Sequence, residues 1–158
     1  MCGFIYSFKT VRIERTTYIE ALICAIIMLL DIINQFYRFH DATIAEFKCQ
    51  FSNNGFKRGT QKSVELLINC WNRESEKWQT IKIVFIDYTS LRFRETPKIQ
   101  SHVVFEALLK EDHDGILFDF FPILEDGQDK ITEDPNSDFS IRCKEVRYEI
   151  LNSDMLKS

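Results

Sequence analysis

A histidine and an aspartate stand side by side at His40 and Asp41, and this pair could do chemistry. Imidazole and carboxylate groups together hold divalent metal ions, so a small metal-dependent hydrolase could use them. Such a site needs further ligands, yet no histidine precedes position 40, and His102 and His113 are the only others. The structural interpretation is that Asp41 accepts hydrogen bonds from backbone N–H groups while His40 caps the carbonyls of a preceding helix. The metal site at His40 and Asp41 is therefore the alternative hypothesis.

A calcium loop is the second kind of site to consider, because Asp112, Asp114 and Gly115 form Asp-x-Asp-Gly. Placing Gly115 at position six of the loop puts Lys110 at position one and Phe121 at position twelve. Those two positions require Asp and a bidentate Glu, so the match fails at both ends. No metal and no other cofactor is therefore predicted.

Cysteine chemistry is also disfavoured. The five cysteines are odd in number and form no C-x-x-C pair, which argues against a secreted disulfide framework and against a zinc site. Reduced thiols in a cytoplasmic protein are the simpler interpretation. Cys49, Cys70 and Cys143 lie on the apolar parity of strand-like segments, so we expect buried, inert thiols there. G-x-S-x-G, P-loop, dinucleotide-binding and H-E-x-x-H motifs are missing as well, so no enzyme class is indicated.

Charge is distributed unevenly along the chain. Residues 1–105 hold 14 Lys and Arg against 10 Asp and Glu, whereas residues 106–158 hold 6 against 14. Phosphate binding needs clustered cations, so the acidic third disfavours nucleic acid as a partner. A basic protein partner fits it, although acidic loops also serve simply to keep a protein soluble. The candidate partner-binding residues are Glu111, Asp112, Asp114, Glu125, Asp126 and Asp129.

The segment Thr17–Tyr37 is predicted to be an amphipathic helix, because a capping box opens it and apolar residues recur at three- and four-residue steps. The uninterrupted apolar run from Ala21 to Leu30 has ten residues. A membrane-spanning helix needs roughly 18 or more, so no membrane association is expected. A self-sufficient amphipathic pattern begins at Met28. Residues 1–27 are therefore a possible upstream extension of a single domain at 28–158.

After His40 the hydrophobic period changes from 3.6 to 2, which predicts strands separated by turns. The first strand is expected to place its odd-numbered residues, from Thr43 to Phe51, on one face. Residues 103–111 fit a strand or a helix, with the strand preferred, and a parity slip at Lys144-Glu145 predicts a β-bulge. Six to seven short strands after one helix indicate an α+β fold with a mostly antiparallel sheet, curled as a sandwich or open barrel.

Three stretches carry a resemblance to known proteins: FHDATI at 39–44, FDFFPI at 118–123 and EDPNSDFSIRCK at 133–144. With the preceding helix, they resemble a family of small uncharacterised bacterial proteins that are similar to the immunity proteins of polymorphic toxins. The resemblance covers residues 28–151. It implies a non-enzymatic protein that neutralises a toxin by burying the toxin's active site, and an acidic face would suit a basic toxin domain. The partner's identity and the oligomeric state stay open.

Overall fold

The computed structural model describes residues 29–53, 60–95, 102–125 and 130–151. Residues 29–35 are helical, and a 3₁₀ turn follows at Tyr37–Phe39. The described strands are β1 (Ala42–Asn53), β2 (Thr60–Asn72), β3 (Lys77–Ile86), β4 (Ser90–Phe93), β5 (Val103–Val104), β6 (Leu108–Asp112), β7 (Gly115–Asp119), β8 (Ile123–Leu124), β9 (Ile131–Thr132), β10 (Phe139–Cys143) and β11 (Glu145–Leu151). The expected helix start at Thr17 and the possible extension at 1–27 lie outside the described residues. Within them, no helix has the length and apolar character needed to cross a membrane.

Two antiparallel sheets make up most of the described fold. The first runs in the order β11-β3-β2-β1-β5 and the second in the order β4-β10-β7-β6, while β8 and β9 form a separate two-stranded ribbon. The predicted combination of a helix with mostly antiparallel sheet is therefore confirmed, and the sheets do not close. Eleven strands are described, against the six to seven predicted. Three of them, β5, β8 and β9, contain only two residues. The ambiguous segment 103–111 forms β5 and most of β6, as the strand interpretation predicted.

Aromatic side chains from both sheets meet in one core. The ring of Phe85 on β3 lies 4.8 Å from that of Phe118 on β7, and the ring of Phe47 on β1 lies 5.7 Å from that of Phe139 on β10. Both contacts are edge to face, which brings the positive ring edge to the negative ring face. Phe85, Phe118 and Phe139 are fully buried. The two sheets therefore face each other across this core.

The chain crosses between the two sheets twice, at neighbouring positions in the structure. β3 of the first sheet leads through Asp87, which has a φ of 51°, into β4 of the second. β10 of the second sheet leads through Lys144 into β11 of the first. The backbone N–H of Lys144 donates to the carbonyl of Ile86 at 3.2 Å and ties the two crossings together. The bulge expected at Lys144-Glu145 is therefore a transfer between sheets, and the apolar parity reverses there because the inward direction reverses.

The first strand changes its register with β2 immediately after Ile44. Ala42 is fully buried and Ile44 packs against the core before this shift, whereas Phe47 packs against it afterwards. The expectation that the odd residues from Thr43 to Phe51 share one inward face is therefore wrong for the first half of β1. A register shift of this kind rotates the strand and moves alternate side chains to the other face. Cys49 lies on the same face as Phe47, as expected, but it is exposed rather than buried.

The end of the helix covers one end of the core. Phe36 is fully buried, with its ring 6.0 Å from that of Phe39 and 5.8 Å from that of Tyr148 on β11. All three residues of the 3₁₀ turn have positive φ, at 49° for Tyr37, 51° for Arg38 and 58° for Phe39. This left-handed conformation costs an L-residue roughly 1–2 kcal/mol. Burial of the Phe39 ring offsets part of that cost.

Candidate functional site

Three of the six predicted partner-binding residues lie at the β6–β7 hairpin. Asp112 ends β6 and pairs with Gly115 of β7, so His113 and Asp114 form a two-residue loop. The potential metal-ligating atoms of Asp112, His113 and Asp114 all lie within 4.8 Å of one another, and the side chains of His113 and Asp114 are exposed. The hairpin therefore concentrates negative charge at a tip that the strand ladder holds in place.

The carboxylate of Asp112 is hydrogen-bonded within the chain. Nη1 of Arg142 donates to its Oδ1 at 2.6 Å, and the backbone N–H of Asp114 donates to the same oxygen at 2.9 Å. Nζ of Lys110 lies 3.5 Å from Oδ2. Burial opposes ionisation of Asp112, but the N–H of Asp114 and the guanidinium of Arg142 outweigh it and hold the pKa of Asp112 below its ordinary value. Asp112 therefore organises the hairpin, and Asp114 presents the more accessible charge.

Glu111 takes the opposite face of β6. It shares the parity of Leu109, which is buried, and its Oε2 is buried with no hydrogen-bond partner among the described residues. Burial, together with the negative charge of Asp112, raises the pKa of Glu111. The predicted binding residue Glu111 is thus only partly exposed, so it contributes less to a recognition surface than Asp114 does.

Glu125 lies at the end of the β8–β9 ribbon. Its backbone N–H donates to the carbonyl of Lys130 at 3.2 Å, and Nζ of Lys130 lies 3.2 Å from its Oε1. The ion pair therefore closes the described end of the ribbon. The two remaining predicted residues, Asp126 and Asp129, lie outside the described residues.

Glu133 brings the two acidic segments to one surface. It follows β9, and its Oε2 lies 2.6 Å from Nζ of Lys110 on β6, while its Oε1 lies 3.6 Å from Nη2 of Arg142 on β10. The hydrogen bond to Glu133 raises the pKa of Lys110 against the opposing effect of burial. The sequence reasoning missed Glu133 because nothing in chain order pairs it with Lys110. The sequence did offer one signal for a charged surface: Lys110 and Asp112 on β6 and Arg142 on β10 stand at outward positions of their strands.

His40 and Asp41 directly follow the left-handed turn. Nδ1 of His40 lies 3.0 Å from Oδ2 of Asp41, and both side chains are about half exposed or more. Asp41 has a φ of 57°, a conformation that Asp tolerates better than most residues. Within the described ranges, no third ligand-type side chain joins this pair in a potential metal cluster. His40 instead lines a cleft together with Arg38 and Arg73.

Two of the three described thiols are inert, as expected. Cys70 and Cys143 are fully buried, and burial raises the pKa of each to about 12. Cys49 is exposed instead, although it pairs with the buried Val64 and so lies on the same face of the sheet. Burial raises its pKa as well, but its sulfur remains accessible to a reagent.

We expect iodoacetamide to alkylate Cys49 in the native protein while Cys70 and Cys143 react at least roughly tenfold more slowly, since the buried thiols become accessible only through opening of the sheets. Peptide mass spectrometry before and after unfolding in guanidinium chloride gives the rate at each position. The Cys49→Ser variant is the control for peptide assignment. Equal native rates at the three cysteines would contradict the described burial.

No protein-family model, curated protein or solved structure matches the chain. The described residues form two candidate sites: an acidic, internally paired surface at the β6–β7 hairpin and the β8–β9 ribbon, and a cationic cleft at the end of the helix.

Proposed function

We propose that the chain is a non-enzymatic, cytoplasmic protein-binding domain of the immunity type, with its two sheets arranged as an open sandwich. It neutralises a basic protein partner, such as a toxin domain, by binding it directly. Such a protein needs no cofactor, because covering the partner's active site is sufficient. The resemblance at 39–44, 118–123 and 133–144 supports this proposal. Nucleic acid is not the proposed partner, because the cations of the acidic surface are paired with carboxylates.

The observation that carries the proposal is the pair of contacts that Glu133 makes. Its ion pairs with Lys110 and Arg142 link the β8–β9 ribbon to the sheet that contains the β6–β7 hairpin. Lys130, the partner of Glu125, precedes Glu133 by three residues, or roughly 10 Å of extended chain. Acidic segments that are separate in the sequence therefore belong to one continuous surface.

This surface combines charge with exposed apolar side chains. Ile123 is 44% exposed and Leu124 is 54% exposed, directly before Glu125. Protein interfaces typically surround an apolar centre with a polar rim, and ion pairs within one partner fix the rim before binding. The described carboxylates of this surface outnumber its cations by four to three, so a negative charge remains to attract a basic partner. These residues are Asp112, Asp114, Glu125 and Glu133, with Lys110, Lys130 and Arg142.

Charge reversal at the two carboxylates that do not hold the sheets together tests the proposal. We expect Asp114→Lys combined with Glu125→Lys to raise the Kd for the partner at least about tenfold and to weaken the salt dependence of association, because rim charges steer the encounter. The probe is the purified product of the neighbouring gene, titrated calorimetrically at low and high sodium chloride.

The matched control combines Glu46→Lys with Glu95→Lys, which makes the same change in net charge at two exposed positions on β1 and after β4. Its affinity should stay within about twofold of the wild type, since charges outside the interface act on association only through the screened long-range field. If both double variants lost the same affinity, net charge alone would explain the loss, and this result would contradict an acidic binding surface. Failure of the neighbouring gene product to bind the wild-type chain would contradict the immunity assignment.

A further inference from the structure

A cleft of about 500 Å³ lies where the helix ends. Its walls come from the helix and the turn after it, from the β2–β3 hairpin and from the connection between β5 and β6. Two arginines and a histidine line it together with a single carboxylate, so its charge is opposite to that of the acidic surface. The lining residues are Ile33, Asn34, Tyr37, Arg38, His40, Arg73 and Glu106.

The cleft and the acidic hairpin are separate sites. Glu106 precedes β6 and Asp112 ends it, so the two residues lie at opposite ends of this strand. Six residues of extended chain span roughly 20 Å. A ligand in the cleft therefore does not compete with a partner at the hairpin tip, and the inference below does not depend on the proposed function.

Arg73 is held in position without being neutralised. Its backbone N–H donates to the carbonyl of Gln35 at 2.9 Å, which fixes the β2–β3 turn against the helix. Its guanidinium carbon lies 5.5 Å from the centre of the Tyr37 ring, a cation–π contact. In the part of the chain that the structure describes, no carboxylate forms an ion pair with Arg73. Its N–H donors are therefore available to an anion.

Arg38 contributes a second guanidinium from the left-handed turn. Its Nη1 lies 3.1 Å from Oε1 of Glu106, and its carbonyl accepts the N–H of Ala107 at 2.8 Å. The contact with Glu106 uses part of the guanidinium, which carries five N–H donors in all. The positive φ of Arg38 is thus maintained by bonds to the β5–β6 connection. Backbone strain of this kind concentrates where a side chain must be presented in one place.

His40 lines the cleft beside the two arginines. Its ring centre lies 5.4 Å from that of Tyr37, and its Nδ1 faces Asp41 at 3.0 Å.

We propose that this cleft binds the anionic group of a small ligand, a carboxylate or a phosphate, between Arg73 and Arg38. A guanidinium matches two oxygens of either group with two parallel N–H bonds. The cleft lies in the size range of small-molecule sites. Its two arginines are anchored through their own backbones to different elements, so little ordering is required when the ligand binds.

The test titrates the full chain with inorganic phosphate and, separately, with malonate, at constant ionic strength balanced by sodium chloride. Amide chemical shifts in ¹⁵N spectra report the binding. The expected result is saturable shifts confined to the cleft, with Arg73→Gln weakening binding at least about tenfold. Arg73→Lys keeps the positive charge but loses the two parallel N–H donors of the guanidinium. Its affinity for the anion should therefore lie between those of the wild type and Arg73→Gln. Arg147→Gln, which changes an arginine of β11 paired with Glu145, should bind like the wild type.

Saturation by phosphate alone would assign a phosphate ligand, and saturation by malonate alone a carboxylate ligand. Either result supports the site. If Arg73→Gln lowers the melting temperature, Arg38→Gln is measured in its place with the same expectation. Two results would overturn the proposal: linear, non-saturating shifts with both anions, or equal affinity in the wild type and the arginine-to-glutamine variant.

Discussion

Replacing Asp119 with alanine is expected to lower the free energy of unfolding by about 3 kcal/mol. Asp119 ends β7 and is fully buried. Its Oδ1 accepts the backbone N–H of Phe121 at 3.1 Å, and its Oδ2 accepts the backbone N–H of Asp134 at 2.9 Å. Alanine leaves both donors without this acceptor. A hydrogen bond to a charged group contributes about 1.5–3 kcal/mol, so the loss of two gives a large effect even after partial relaxation.

Asp119 also joins two of the three stretches on which the proposed resemblance rests. Beside it, the N–H of Phe120 donates to the carbonyl of Phe139 at 3.0 Å, and the hydroxyl of Ser137 donates to the same carbonyl at 3.1 Å. FDFFPI and EDPNSDFSIRCK are therefore bonded to each other around a buried carboxylate. The buried contacts of these motifs stabilise the fold, whereas Ile123 and Glu133 at their ends lie on the proposed acidic surface.

Urea unfolding followed by tryptophan fluorescence measures the effect. Asp119→Asn should lose about half as much stability as Asp119→Ala, because its amide keeps one accepting oxygen and turns its NH₂ group towards the second donor. Asp114→Ala removes an exposed carboxylate from the neighbouring hairpin and should change stability by less than about 0.5 kcal/mol. An Asp119→Ala variant within about 1 kcal/mol of the wild type would contradict the double-acceptor role.

The faces of the central strands could be read from the sequence. The alternation in SVELLINCW predicts one inward face, and Val64, Leu66, Ile68 and Cys70 are all fully buried. Alternation works here because the side-chain direction in a strand reverses at every residue, whatever the rest of the chain does. The sequence Asp-His-Asp-Gly at 112–115 favours the hairpin found there for a similarly local reason, since turn residues act through their own backbone.

Features that depend on distant parts of the chain could not be read in this way. The parity slip at Lys144 was visible, but a bulge and a transfer between sheets produce the same pattern in one strand. The transfer is determined by the pairing of β10 with β4 and β7, and of β11 with β3. The shift after Ile44 leaves no mark in composition, so it reversed the prediction for the first half of β1.

The candidate binding surface likewise combines features that could be predicted from the sequence with features that depend on distant residues. Charge density along the chain located the acidic residues, but it could not separate Asp112, which is bonded to Arg142, from Asp114, whose side chain is 62% exposed. Glu133 was missed because its partners are on β6 and β10. The cationic cleft was missed because Arg38 and Arg73 are far apart in sequence, and only the helix end brings them together.

Replacing Gly115 with alanine is expected to destabilise the protein by about 3 kcal/mol or more. Gly115 has a φ of 112°, which L-residues rarely adopt, and a Cβ added there would lie 2.6 Å from the backbone oxygen of Cys143. That oxygen belongs to the last residue of β10, just before the chain crosses into β11. A backbone atom at this point cannot turn aside as a flexible side chain would. Relief of the contact therefore requires the β6–β7 hairpin to move away from the crossing.

Such a movement has a second consequence, because Arg142 reaches across β7 to Asp112 at 2.6 Å. We expect Gly115→Ala both to lower the urea midpoint and to shift the amide signals of the acidic hairpin, whereas Asp119→Ala acts mainly at the other end of β7. The control is His113→Ala, which changes a side chain that is 88% exposed in the same loop. It should change stability by less than about 0.5 kcal/mol. A Gly115→Ala variant as stable as this control would contradict the close approach of β7 to the Cys143 carbonyl, and with it the hairpin geometry on which the proposed acidic surface depends.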